Sequence, residues 1–225
     1  MADLNKKYKK IINGTCFNPF ALLGTHSDDA GYWEITTFQP VAESVWVVLK
    51  GRKDPLSMKK IIQDGIFSIK IKRKAKPEYS FDVKGFDGSM WREEDPYSFL
   101  PILTEYDLYL FNEGNHFRIF EKLGSHIMES EGKSGVHFAV WAPNAQRVSV
   151  VGDFNSWDGR RHQMRVMGSS GVWEIFLPGL GEGEKYKYEI RTQSGDILTK
   201  ADPYGHFMEK RPKTASIVYP IGRYQ

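Results

Sequence analysis

The residue types that could do chemistry gather in one loop. After Val148-Ser149-Val150-Val151 the sequence runs Gly152-Asp153-Phe154-Asn155-Ser156-Trp157-Asp158-Gly159. A large indole among Gly, Asp, Asn and Ser is unusual, because apolar side chains go to the core while loops cross the surface. A flat indole can cover the apolar face of a sugar ring, and an Asn amide beside it can hydrogen-bond the ring hydroxyls. The competing use of Trp157 is packing against a neighbouring domain. Other chemistry finds little material. Six histidines and one cysteine show no metal-ligand spacing, and no phosphate-cradling glycine motif is present. Glu182, Glu184, Asp196 and Asp202 read as turn and surface residues, not as paired catalytic carboxylates. The sequence therefore offers no catalytic residue, no metal site and no cofactor site.

The elements that must position this loop are strands. Val136, Phe138 and Val140 alternate with His137, Ala139 and Trp141, the period of a strand with two faces. Pro143 and Asn144 supply a turn, and a strand returns over 147–151. Further strands are expected near 172–177, 185–191 and 214–219. Upstream, strands are expected near 32–38, 44–49, 66–71 and 79–85. A short amphipathic helix is expected over 3–13, with Leu4, Tyr8, Ile11 and Ile12 on one face, Asp3 as cap and Gly14 as terminator. Between the two strand groups, 116–123 could form two helical turns.

The two groups repeat one another. Leu23-Gly24-Thr25-His26 is echoed by Leu123-Gly124-Ser125-His126, and Gly65-Ile66-Phe67 by Gly171-Val172-Trp173. Tyr79-Ser80-Phe81-Asp82-Val83 matches Tyr186-Lys187-Tyr188-Glu189-Ile190, and Asp95-Pro96-Tyr97 matches Asp202-Pro203-Tyr204. The order is kept throughout, as duplication with small loop insertions would keep it. The fold class expected is all-β, two tandem immunoglobulin-like β-sandwiches, with domains at 1–105 and 106–225. The first copy lacks the 152–159 loop and has Lys50-Gly51-Arg52-Lys53-Asp54-Pro55 in its place. Lys70, Lys72, Arg73, Lys74 and Lys76 read as a solvated edge strand, not as a nucleic-acid surface. His26 and His126, at matching positions, are expected to make a structural hydrogen bond.

Composition narrows the class. The chain has 225 residues and a formal net charge of +3. A single cysteine, Cys16, rules out an internal disulfide and fits a reducing cytoplasm. The first ten residues lack the apolar core of a signal peptide, and no run reaches the roughly 20 apolar residues of a membrane helix.

The stretch Gly152–Arg165, GDFNSWDGRRHQMR, resembles the wording of bacterial 1,4-alpha-glucan (glycogen) branching enzymes, and its surroundings resemble carbohydrate-binding module family 48. The resemblance runs on through Gly171-Val172-Trp173-Glu174, Lys200-Ala201-Asp202-Pro203-Tyr204-Gly205 and Arg211-Pro212-Lys213-Thr214, and back to Asn18-Pro19-Phe20. It implies an N-terminal glucan-binding and chain-positioning region, with Trp157 as stacking platform and Asn155 and Lys187 as hydroxyl partners. The implied partners are α-glucans and a catalytic barrel of the same polypeptide, with no nucleic acid and no membrane. That barrel, of about 250 residues, has no room in this chain. A retaining transfer also needs two carboxylates about 5–5.5 Å apart, and the motifs that supply them are missing here, so this stretch alone should be inactive. Related modules carry a second stacking Trp where this chain has Gly195-Asp196-Ile197-Leu198. Two other readings stay open: sandwiches that only support the barrel, and a stand-alone glycogen-binding protein.

Overall fold

The computed structural model describes residues 2–28 and 30–220, with the side chains of 2–5 left out. The chain forms two compact units. One holds the residues up to Ile12 together with Pro19–Ser98, and the other holds Asn13–Asn18 together with the chain from Phe99 onward.

In the first unit, helix α1 (Ala2–Ile12) ends two residues before Gly14, and Tyr8 and Ile11 are buried. Asp3, the expected cap, lies outside the described side chains. The strands are β1 (Gly24–Ser27), β2 (Tyr32–Phe38), β3 (Ala42–Leu49), β4 (Leu56–Ser57), β5 (Lys59–Ile62), β6 (Ile66–Lys72), β7 (Tyr79–Gly85) and β8 (Met90–Glu93). They form two antiparallel sheets, ordered β1-β2-β6-β5 and β4-β3-β7-β8. Ile35 and Phe67 from the first sheet pack with Val45, Val47, Phe81 and Val83 from the second, as the alternation demands. The lysine-bearing end of β6 has a free edge, although the strand as a whole lies inside its sheet. Ile66–Ser68 is flanked by both β2 and β5, and only Ile69–Lys72 has β2 alone beside it.

The second unit repeats this plan. Its strands are β9 (Gly124–Ser130), β10 (Lys133–Trp141), β11 (Ala145–Gly152), β12 (Arg165–Val166), β13 (Val172–Pro178), β14 (Lys185–Thr192), β15 (Ile197–Lys200), β16 (Phe207–Met208) and β17 (Ser216–Ile217). The sheets run β12-β13-β10-β9 and β11-β14-β17-β16, with β15 also on β14. Phe138 of one sheet meets Tyr186 of the other, edge to face at 4.9 Å.

The helix of this unit is not where the apolar pattern suggested. α2 spans Glu105–Asn112, and 116–123 contributes only a short 3-10 turn at Ile119–Glu121. Thr104 and Asp107 decide the start. The Thr104 hydroxyl accepts from Asp107 N at 3.1 Å, and the Asp107 carboxylate accepts from Thr104 N at 3.0 Å, a reciprocal cap. Burial disfavours the Asp107 anion. Hydrogen bonds from Thr104 and His116 and the charge of Lys122 outweigh it and hold the carboxyl at about 2. Leu108 and Phe111 pack against Leu103, Ala139 and Val172.

The duplication holds at the level of single atoms. His26 Nε2 lies 3.0 Å from Leu23 O, and His126 Nε2 lies 2.9 Å from Leu123 O. Gln39 N donates to Gly65 O at 2.7 Å, and Ala142 N to Gly171 O at 2.8 Å. Gly65 (φ +103°) and Gly171 (φ +72°) are both left-handed, and a Cβ on either would come within 2.7 Å of the facing proline Cα. The Tyr79 hydroxyl donates to Asp95 at 2.6 Å, and the Tyr186 hydroxyl donates to Asp202 at 2.5 Å. Asp202 is therefore buried, not the surface residue expected from sequence. Burial pushes the Asp95 carboxyl up to about 6 and moves Asp202 in the same direction.

Candidate functional site

Along β11, Val148 and Val150 point into the sandwich, so Arg147, Ser149 and Val151 point away from it. Those outward residues are nevertheless buried, Arg147 to 2% exposure and Ser149 to 0%. The loop after β11 covers them. The Ser149 hydroxyl donates to Gly159 O at 2.5 Å and Arg147 Nη1 donates to the same oxygen at 2.7 Å. Arg147 Nη2 donates to Glu189 Oε1 at 2.5 Å. Gly159 rests so closely on the Glu189 carboxylate that any Cβ there would collide with it. The chain then returns along the free edge of β11, where Val150 N donates to His162 O at 3.1 Å and Met164 N to Val148 O at 2.8 Å.

Asn155 is the centre of this loop. It is 1% exposed. Its Oδ1 accepts from Gly152 N at 3.0 Å, and its Nδ2 donates to Val150 O at 2.9 Å and to His162 Nδ1 at 2.9 Å. An amide NH2 can only donate, so His162 Nδ1 must accept and the ring must be neutral. Burial, and then the charge of Arg161, push the His162 imidazole down to about 3, which agrees. The amide proposed for a ligand hydroxyl is thus spent inside the loop. Asn155 fixes the loop through both ends of its amide.

Trp157 sits where that fixed loop turns. A 3-10 turn over Asp153–Asn155 leads into Ser156 (φ 55°) and Trp157 (φ 59°), two non-glycine residues in left-handed conformation. Such backbone costs of order 1–3 kcal/mol per residue and persists only where the surroundings impose it. The constraints here are Trp157 N donating to Gly152 O at 2.9 Å and the indole Nε1 donating to Asp153 Oδ1 at 2.9 Å. Trp157 stays 39% exposed. A strained, doubly anchored backbone therefore presents an indole that the fold has not buried.

Lys187 lies opposite Val151 in the β11–β14 register, in an outward row with Lys185 and Glu189. Gly152 abuts the Lys185 carbonyl and Gly159 abuts Glu189, so the loop runs beside this row with Lys187 at its middle. Lys187 Nζ donates to Thr214 Oγ1 at 2.7 Å. The Trp157 loop and Lys187 thus lie on one face of the β11–β14 pair, with Thr214 bonded to Lys187 and the Asn155 amide engaged within the loop. Where a second aromatic platform was missed in the sequence, the exposed residues are Ile197 and Leu198. The charges of Arg147 and Glu189, in strands otherwise apolar on alternate positions, were the available signal that this outer face is covered. Among the described residues no cluster of three or more His, Cys, Asp or Glu could hold a metal ion. No helix among them is long and apolar enough to cross a membrane.

Comparison with known proteins decides the family. Residues 4–97 match the N-terminal domain of the alpha-1,4-glucan branching enzyme GlgB, and residues 122–205 match carbohydrate-binding module 48 (isoamylase N-terminal domain). The chain belongs to the N-terminal region of the GlgB branching-enzyme family. It is 49% identical over 214 residues to the 1,4-alpha-glucan branching enzyme GlgB of Paramagnetospirillum magneticum, covering 95% of this chain and 28% of that protein. Against the same enzyme of Trichormus variabilis it is 45% identical, covering 97% and 29%. Against that of Rubrobacter xylanophilus it is 47% identical, covering 96% and 30%. The chain thus spans less than a third of the length of these GlgB relatives. The module 48 match contains the whole Trp157 loop and Lys187 but stops before Thr214.

Proposed function

We propose that this chain is the glucan-binding and chain-positioning region of a cytoplasmic glycogen branching enzyme, which forms α-1,6 branches by transferring α-1,4-glucan chains. The observation that carries the reading is the presented indole of Trp157 beside Lys187. The indole covers the apolar face of a glucose unit, Lys187 Nζ and Asp153 meet its hydroxyls, and Asn155 and His162 hold the loop in shape. The partners are a glycogen or malto-oligosaccharide chain and the catalytic barrel of the same polypeptide, rather than nucleic acid or a membrane. No cofactor enters this role. One stacked ring contributes about 0.5–1.5 kcal/mol beyond area burial, by analogy with aromatic pairs. Affinity for a free oligosaccharide is then weak, of order high micromolar to millimolar. Its use is to raise the local concentration of a long chain near the barrel.

A second reading is favoured by a different observation. In the second unit Tyr106, Tyr109, Phe117 and Trp141 are all exposed. Such a surface suits docking of the barrel, with the sandwiches as supports and no sugar bound. Affinity electrophoresis through glycogen separates the two. Retardation of the wild-type chain that is lost in Trp157→Ala supports glucan binding. Equal mobility of both proteins in gels with and without glycogen supports the purely structural role.

A further inference from the structure

We propose that the basic turn Lys210-Arg211-Pro212-Lys213, held beside Lys187, makes this face prefer α-glucan chains bearing phosphate monoesters over neutral ones. The proposal rests on the glucan-binding reading above and deepens it.

β16 and β17 extend the sheet from β14, and their turn is closed by Glu209 N donating to Ala215 O at 2.9 Å and Lys213 N donating to Lys210 O at 3.2 Å. Its end touches the candidate sugar contact directly, through Thr214 Oγ1 and Lys187 Nζ at 2.7 Å. The Trp157 loop leaves β11 on one side of β14, and the basic turn rises from β17 on the other. Neighbouring strands are about 4.8 Å apart, so β11 and β17, from which loop and turn spring, are about 10 Å from one another. That distance is one or two sugar units along a chain stacked on Trp157.

The charge here is poorly compensated. Glu209 is shared between Lys185 at 3.6 Å and Lys213 at 4.0 Å, and it also accepts from Ala215 N at 3.3 Å. Among the described residues no ion pair holds Lys210 or Arg211, and both are exposed. A neutral glucan offers only hydroxyls to these groups. A phosphate monoester carries about −1.5 to −2 charges and three strong acceptor oxygens. The Arg211 guanidinium fork matches such a group with two parallel hydrogen bonds, and lysine ammoniums serve it as point charges. Because the charges are exposed, the preference must weaken in salt.

The test is calorimetric titration of the full chain with maltoheptaose, and with maltoheptaose carrying one phosphate on a C6 hydroxyl, at low and high salt. The phosphorylated chain is expected to bind about three- to tenfold more tightly at low salt, and the gap to shrink below about twofold in high salt. The variant Lys210→Ala/Arg211→Ala/Lys213→Ala should lose the preference and keep the affinity for maltoheptaose. Equal affinities at low salt, or a preference that survives the triple variant, would overturn the proposal while leaving the glucan site intact. Inorganic phosphate binding as tightly as the phosphorylated chain would also overturn it, marking a free-anion site. Binding of neither oligosaccharide would remove both this proposal and the reading beneath it.

Discussion

In the first unit β3 turns back to β4 through Lys50-Gly51-Arg52-Lys53-Asp54-Pro55, while in the second the equivalent β11 runs into the Trp157 loop. The consequence is clearest one strand over. Asp82 and Glu189 occupy matching positions of the repeat. Asp82 takes a two-pronged contact from Arg92, Nε at 2.6 Å and Nη2 at 2.8 Å, on an exposed face. Glu189 takes Arg147, which the loop has sealed from water. The same scaffold position thus holds a surface ion pair in one unit and a buried network in the other. The two units share turns, glycines and the Tyr–Asp hydrogen bond, and differ in this loop, in the added β16 and β17 and in helix α2.

Four outcomes break or sharpen that contrast. The largest is expected from the arginines. Arg147→Ala leaves Glu189 without its buried partner and Gly159 O with the Ser149 hydroxyl alone, and should cost about 3–5 kcal/mol in urea unfolding. Arg92→Ala should cost far less, because the pair it breaks is exposed. Equal costs would mean that the loop does not seal Arg147. Next is Asn155→Ala, which strands Gly152 N and the His162 ring and should cost about 1–3 kcal/mol. The crosspeaks of residues 152–164 should disperse or broaden in that variant while those of the first unit stay in place.

Acid should separate the units through His162. Its folded pKa, about 3, lies below the ordinary value of 6.5. The folded state therefore binds fewer protons than the unfolded one, and the stabilising contribution is full above pH 6.5 and lost as pH falls below it. The slope is at most about 1.4 kcal/mol per pH unit. Asp95 works with the opposite sign. Its folded value of about 6 exceeds the ordinary 3.8. Its contribution is full below pH 3.8 and lost as pH rises through 6, and Asp202 shares that direction. The comparison of wild type with His162→Gln isolates the loop: the stability gap between them should narrow from pH 6.5 to pH 4. A gap independent of pH would mean that His162 titrates normally. The smallest effect on folding is expected from Trp157→Ala, within about 0.5 kcal/mol, since surface substitutions away from the core move stability little.

The duplication was legible in the sequence because it rests on residues with few substitutes. Gly65 and Gly171 must accept a facing proline, and Asp95 and Asp202 must accept a tyrosine hydroxyl, so the letters recur in order. Trp157 was legible as an exposed indole because its immediate neighbours, Asn155, Ser156, Asp158 and Gly159, are polar or small. Asn155 was not. An amide in a polar loop looks the same whether it faces a ligand or its own backbone, and only the positions of Val150 O and His162 decide. Asp202 was misread because the tyrosines that bury it stand 14 and 16 residues away on another strand. The start of α2 was written in Thr104 and Asp107, but with Leu108 and Phe111 as its apolar anchors the helix stripe is too short to be seen by periodicity.

The central claim is that the loop turns one copy of a common sandwich into a sugar-binding surface. It is tested most directly by following the indole N–H resonances of the full chain during titration with maltoheptaose. The account expects the Trp157 resonance to shift with millimolar-range saturation, together with the amides around Lys187, while that of Trp173, which donates to Ala142 O inside the unit, stays fixed. An unmoved Trp157 at saturating sugar would contradict the account and leave the loop as a device for packing alone.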